Sequence, residues 1–428
     1  MTTVVLVGTL DTKGAELAFV RDRLADAGCE VLVVDGGVMG TSSGPAGFRA
    51  DISADEVARA GGADRAALAA AGDRSGAMAA MRAGVTEVVL DLFRRGGLDG
   101  ILAVGGSGGA SLAAPAMQTL PVGVPKLIVS TMAAGDTRPY VGESDIAMLY
   151  PVVDIAGLNR LARRVLANAA AAMAGMATAS AGASTSLGGA DDRPLVGATM
   201  FGVTTPAVTA ARERLEALGY EVLVFHATGT GGRAMEALVR SGYLAGVLDV
   251  TTTELADELV GGVLSAGPDR LTAAGATGIP QVVSLGALDM VNFGPRDTVP
   301  ARFRDRRLYE HNASVTLMRT SVDESRELGR ILAAKLNASA GPTVVFVPRG
   351  GLSMIDVPGG AFHDPGADDA LIGALLADLE PRIEVVDRDV DINDPTFGPE
   401  MADRLDELVR MAGQTASATR ETSGSAAG

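Results

Sequence analysis

The sequence predicts an α/β protein made of two Rossmann-like, doubly wound parallel-sheet domains of related topology. Three observations carry this. Short β-branched runs alternate with helical patterns along the chain. The runs are almost continuously apolar, as strands covered on both faces are. And a string recurs: residues 21–34 read RDRLADAGCEVLVV and residues 212–225 read RERLEALGYEVLVF, identical at eight of fourteen positions at an offset of 191.

The elements follow in order. Residues 4–7 form an apolar run that ends at Gly8. Residues 15–27 carry Leu17, Val20 and Leu24 at helical spacing, and Gly28 stops them. Residues 31–34, 101–104 and 127–129 are the next strands, the last two introduced by Asp99-Gly100 and Val124-Pro125-Lys126. Residues 175–194 (GMATASAGASTSLGGADDRP) are small and glycine-rich and read as a linker. After them the pattern restarts. Leu98-Asp99-Gly100-Ile101-Leu102 is echoed by Leu244-Ala245-Gly246-Val247-Leu248, and Gly123-Val124-Pro125 by Gly278-Ile279-Pro280. Residues 343–348 and 383–386 read as strands of a third region, and 403–411 as a final amphipathic helix. The expected organisation is a first α/β domain over 1–174, a linker over 175–194, a second α/β domain over 195–412 and a flexible tail over 413–428.

Composition narrows the function. With 36 basic and 52 acidic residues the net charge is −16, which disfavours a broad nucleic-acid-binding surface. The one cysteine, Cys29, excludes an intramolecular disulfide. His226, His311 and His363 lie far apart in sequence, a poor basis for a histidine zinc site. No signal-like segment and no run of about 18 apolar residues occurs, so a soluble, cytoplasmic protein with no membrane partner is expected. Glycine, at 55 of 428 residues, is in excess, as where backbone approaches a ligand.

In doubly wound sheets ligands sit beyond the carboxyl ends of the strands. After the first strand comes Gly8-Thr9-Leu10-Asp11-Thr12-Lys13-Gly14. Thr12 as an N-cap and Lys13 as a point charge suit an anion at a helix start; an ordinary capped turn is the other reading. The spacing is neither a Walker A loop nor the dinucleotide fingerprint. Asp35, Gly36 and Gly37 end the second strand, where an acid can accept ribose hydroxyls. Gly105, Gly106, Ser107, Gly108 and Gly109 follow the third; four glycines in five residues suit a nest of amides around a phosphate. Ser130, Thr131, Asp136 and Thr137 follow the fourth, Asp136 being a water-mediated Mg²⁺ ligand or a cap.

The second half is an internal control. Thr199, Gly202 and Thr204 stand where the first half has Gly8, Asp11 and Lys13, and Thr251, Thr252, Thr253, Glu254 and Leu255 stand against the glycine nest. The scaffold persists while the phosphate-type residues go. That favours an anion in the first domain and a different ligand at Thr251, Thr252, Thr253 and Glu254, with Gly350 and Gly351. The loop 348–365 brings Arg349, Asp356 and His363 as weak catalytic candidates; a surface connection is the alternative. Glu310, His311, Asn312 and Arg319 are further residues that could face the cleft. No metal cluster or base–nucleophile pair stands out.

The strings VGTLDTKG, VVDGGVMG, AVGGSGG, STMAAGDTRPYVG, GALDMVNFGPRDTVP and VTLMRTS resemble the family of uncharacterised bacterial and plant proteins that shares the ATP-binding N-terminal domain of the tomato mosaic virus resistance protein. The resemblance runs from Val4 to about Met411, apart from the linker. It implies two Rossmann-like subdomains, ATP with Mg²⁺ in the first, and self-association into a homo-oligomer. The matching positions are the turn from Gly8 to Lys13, Gly105 to Gly109, and the loop from Ser130 to Thr137. The antiviral role of the plant protein needs a viral partner, and nothing in this sequence transfers it. Two functions are then expected. One is an ATP-dependent enzyme acting on a small polar metabolite in an interdomain cleft. The other is a nucleotide-responsive binding or regulatory protein without catalysis.

Overall fold

The computed structural model describes residues 2–38, 47–182 and 193–425, with side chains as far as Gln414. The chain divides into two compact units, Met1–Gly189 and Ala190–Gly428.

The described residues of the first unit hold five strands: β1 (Thr3–Gly8), β2 (Glu30–Asp35), β3 (Gly100–Val104), β4 (Lys126–Val129) and β5 (Ala147–Leu149). They form one parallel sheet in the order β2-β1-β3-β4-β5. Alternate residues of β1 feed opposite cores, as the two-residue strand period requires. Val4 and Leu6 pack with Leu17, Val20 and Leu24 of the helix Leu10–Asp26 and with Met173. Val5 and Val7 pack with Met81, Val85, Val89 and Leu112 on the other face. Each such fully buried side chain contributes about 1.5–3 kcal/mol. β1 pairs Gly8 with Asp35 and Val7 with Ala103, so the carboxyl ends of three strands finish level.

Two expectations change here. The first helix begins at Leu10 rather than 15, so the turn after β1 is its opening turn. The helix Arg160–Gly182 runs through 175–182, where a linker is expected, because Met173, Ala174 and Ala177 bury against the sheet. A Cβ on Gly100 of β3 would stand 2.8 Å from the Met173 sulfur. The remainder of that stretch, 183–192, lies outside the described residues. The helices Ala54–Ala60, Arg65–Ala71 and Arg74–Arg94 cover a stretch without clear periodicity. Asp64 and Asp73 cap the last two, accepting from Ala67 N at 2.8 Å and Ser75 N at 3.0 Å, and Gly72 with φ 67° turns the chain between them.

The second unit repeats the plan. β6 (Leu195–Met200), β7 (Glu221–His226), β8 (Gly246–Thr251), β9 (Gln281–Gly286), β13 (Thr343–Pro348) and β14 (Glu384–Arg388) form a parallel sheet in the order β14-β13-β9-β8-β6-β7. Read from β7, its first five strands reproduce the order of the first sheet. The strands set apart as a third region are therefore its outer strands. Between β9 and β13 the chain inserts β10 (Met290–Phe293), β11 (Leu308–Asn312) and β12 (Val315–Arg319), an antiparallel sheet in the order β10-β12-β11. The last helix, Phe397–Ser425, packs Phe397, Met401, Leu405 and Leu408 under the sheet, and its helical backbone continues past Gly413, where a tail is expected. No helix among the described residues is long and apolar enough to cross a membrane.

Candidate functional site

Beyond the carboxyl ends of β1, β2 and β3 lies a cavity of about 600 Å³. Thr9, Asp11, Thr12 and Lys13 line it from the first turn, and Gly36 and Gly37 from the second. Gly105, Gly106, Ser107, Gly108 and Gly109 line it from the third. Leu68, Arg74, Ala77 and Met78 close it from the two helices after Asp64, which sequence reasoning missed because those helices show no strand-linked motif.

The glycines divide by cause. A Cβ on Gly8 would fall 2.6 Å from Leu17, one on Gly36 2.2 Å from Leu112, and one on Gly105 2.9 Å from the Gly109 Cα. Gly37 keeps space for the Asp11 carboxyl group, whose Cγ lies 2.8 Å from the position of such a Cβ. These are packing glycines. Gly106 and Gly108 are different: among the described residues nothing lies within 4 Å of a Cβ there, and neither has positive φ. Their missing side chains keep the cavity open. Gly106 precedes the helix Ser107–Thr119, and no side chain caps that helix. The amides of its first turn, at Ser107, Gly108 and Gly109, therefore open on the cavity with the positive end of the helix dipole behind them.

Other expected ligand groups serve the scaffold. Asp35 is 1% exposed, and its Oδ1 accepts from Leu10 N and Gly37 N, both at 2.9 Å, so it braces the turns rather than presenting itself to a ribose. Thr12 is not the N-cap; Thr9 is, without a side-chain bond, and the two hydroxyls meet at 2.7 Å. Lys13 has left helical backbone (φ −128°, ψ 20°), and its Nζ donates to the Ile155 carbonyl. Glu16 accepts from Gly157 N at 2.7 Å, so the same helical turn holds the 155–157 segment twice. Ser130 is fully buried, accepting from Met132 N at 3.2 Å and donating to the Gly106 carbonyl at 3.3 Å, which supports the nest from behind. Thr131 opens a short 3₁₀ turn, Thr131–Ala134, and Thr137 precedes the helix Arg138–Val141. Asp136 forms a two-pronged pair with Arg138 at 2.9 and 2.7 Å, and this side chain, then the Arg138 amide, holds its carboxyl down to about 2. Ser130, Thr131, Asp136 and Thr137 do not line the cavity.

In the second unit the expected ligand face is interior. Thr251, Thr252, Thr253 and Glu254 are fully buried. Thr251 Oγ1 meets Thr204 Oγ1 at 2.7 Å, Thr252 donates to Ser284 O at 3.1 Å, and Thr253 to Met290 O at 3.4 Å. Glu254 accepts from Gly229 N at 2.7 Å, Gly232 N at 3.1 Å and Arg270 Nε at 2.6 Å. Arg270, fully buried, also grips Asp249 at 2.5 and 2.6 Å. Where the first unit leaves a cavity, the second places its own carboxylate and guanidinium. Gly350 and Gly351 are packing glycines: a Cβ would fall 2.6 Å from Asp391 N and 2.0 Å from the Asp356 carbonyl respectively.

The three weak catalytic candidates do not form one site. Arg349 pairs with Asp387 on the surface at 2.6 to 2.9 Å. His363 is half-buried, and its carbonyl accepts from Arg307 at 3.0 Å. Asp356 is fully buried, 3.5 Å from Arg319, in a cluster with Asp289 and Asp368. Burial first, then the neighbouring Asp289 charge, drives its carboxyl far above the usual range. Arg319 donates to the Phe362 carbonyl at 2.8 Å and to Asp368 at 2.6 Å, so it fastens the 350–365 loop instead of facing a cleft. Glu310, His311 and Asn312 lie exposed on β11.

Comparison with known proteins gives a consistent family. The models described as the uncharacterised protein family (UPF0261) N-terminal and C-terminal domains match residues 2–182 and 193–409. A UPF0261 protein of Clostridium tetani is 51% identical over 94% of this chain and 98% of its own. One from Mesorhizobium japonicum is 46% identical over 95% and 99%. The ToMV resistance protein Tm-1(GCR237) of Solanum lycopersicum is 47% identical over 73% of this chain and 42% of its own length. Solved structures overlap loosely. An esterase domain from Rhodothermus marinus gives a TM-score of 0.30 at 17% identity, covering 51% of this chain and 90% of that one. Overlap that loose does not bear on activity.

Proposed function

The chain belongs to the UPF0261 family, and we propose that its first unit binds a nucleoside triphosphate, ATP with Mg²⁺, in the cavity at the carboxyl ends of β1, β2 and β3. The observation that carries this reading is the pair Gly106 and Gly108. Neither packing nor backbone conformation requires glycine at these positions, yet both keep space open at an uncapped helix start. Amides at such a start suit phosphate oxygens. The apolar wall of Leu68, Ala77 and Met78 suits the less polar remainder of a nucleotide. Among the described residues no group of three or more His, Cys, Asp or Glu could hold a metal ion. Mg²⁺ arriving with the phosphates needs only one or two carboxylates, and Asp11 is the one we assign.

Of the two roles, binding without catalysis fits better. Among the described residues, the side chains lining the cavity include no paired nucleophile and base, and the groups expected to hold a second substrate are interior. In this reading ATP binding in the first unit favours one assembly state of a cytoplasmic homo-oligomer. Sedimentation with and without MgATP reads the assembly, and ADP release would instead support an enzyme.

The direct test is thermal unfolding. MgATP at 100 times its dissociation constant stabilises by about 2.7 kcal/mol, a rise of a few degrees. Ser107→Asp puts a carboxylate among the amides and should abolish the rise. A variant stabilised as well as the parent would remove the phosphates from the nest.

A further inference from the structure

We propose that Arg74 recognises the outer charge of a polyphosphate in this cavity and so sets its preference for tri- over monophosphates; the inference rests on the nucleotide reading above. Among the described residues the cavity is lined by four charged side chains, Asp11, Lys13, Asp73 and Arg74. Two are acidic. Asp73 is spent on capping, with its Oδ1 on Ser75 N at 3.0 Å. Lys13, the cation that the sequence offers first, is engaged by the Ile155 carbonyl. Among the described residues, a ligand with several negative charges therefore meets one uncommitted cation, Arg74.

The placement of Arg74 is unexplained by folding. It is exposed and, among the described residues, makes no ion pair or hydrogen bond. It occupies the first position of the helix Arg74–Arg94, where the positive end of the helix dipole disfavours a cation; the acid at that helix start is the N-cap Asp73, whose carboxylate accepts from Ser75 N and makes no ion pair with Arg74. The nearby Arg65 shows the ordinary arrangement, bound to Asp55 at 2.5 Å and reaching the Val38 carbonyl at 3.5 Å. A free guanidinium at a cavity mouth, against its own helix dipole, matches a bidentate receptor for a phosphate. Because the amides of Ser107 to Gly109 take one phosphate of any nucleotide, Arg74 acts on the additional charge that a longer phosphate chain carries.

The test is calorimetric titration of the full chain with MgATP and with AMP. Arg74→Gln should weaken MgATP about 10-fold or more, the loss of one charge-assisted bond, and AMP by no more than about threefold. Arg74→Lys should fall between. Lys13→Met should not alter the ratio of the two affinities. Equal MgATP binding by the parent and Arg74→Gln would overturn the assignment, as would equal weakening of both ligands. Loss of the ratio in Lys13→Met alone would transfer the role to Lys13. If the parent binds neither nucleotide, the nucleotide reading fails and this inference fails with it. Arg74 is exposed, so unchanged thermal unfolding without ligand is expected of Arg74→Gln. If the melt falls, Arg74→Lys decides by the same ratio.

Discussion

Gly108 and Gly105 stand three residues apart and answer to different forces. Gly108→Ala adds a methyl group in open space within a helix, which should stabilise the chain by about 0.5–1 kcal/mol through lost unfolded-state freedom. The same methyl group enters the cavity and, if the proposed nucleotide binds there, should weaken MgATP about 10-fold or more. Gly105→Ala meets the Gly109 backbone at 2.9 Å and should destabilise by about 1–3 kcal/mol. Denaturant unfolding and calorimetry on both variants check this, and a destabilised Gly108→Ala would place that glycine among the packing ones. The sequence marks this run as unusual but does not divide it, because the division depends on what faces each Cα. Asp356 shows a similar limit. Its carboxyl is raised in the folded chain, so the native state holds a proton that the unfolded state has lost. Stability should be full below the ordinary carboxylate range and fall as pH rises toward the raised value. Asp356→Asn, which mimics the protonated form, should flatten the fall in melting temperature between about pH 5 and 8. An unchanged slope would assign the pH dependence to other groups.

The element scale is where the sequence was most legible. The repeated helix–glycine–strand string does mark repeated topology, and the two sheets share their first five positions in order. The residues after β3 and β8 can be aligned from sequence, but the consequence of the change cannot. Glu254 reads as a cleft-facing acid because its partner Arg270 is sixteen residues away, with Asp249 on the strand before it. Only folding shows that Arg270 is held between these carboxylates in the interior, with Glu236 3.5 Å away. Arg270→Ala should therefore leave buried carboxylates unpaired and destabilise the chain by about 3–5 kcal/mol in urea unfolding. A loss under about 1 kcal/mol would mean that water reaches the cluster. The helices around Arg74 were not legible at all. Their stretch is rich in alanine, and the walls they supply depend on tertiary packing.

For the whole molecule, the division into two units follows from composition as well as from structure. The units meet in sequence at a glycine- and serine-rich stretch, and both sides carry their own sheet and core. Limited proteolysis should cut within 183–192 and spare 175–182, which the helix Arg160–Gly182 holds against the first sheet. Primary cuts inside either sheet would contradict the division. One consequence of the Asp35 brace belongs to this scale. A single carboxylate oxygen joins the turn after β1 to the turn after β2, so two walls of the cavity are fixed before any ligand arrives. Under the nucleotide proposal, little loop entropy would then be lost on binding, and much of the recognition energy would remain available as affinity. If the proposed nucleotide binds there, the first unit would act as a rigid gauge of it, shaped before the ligand arrives.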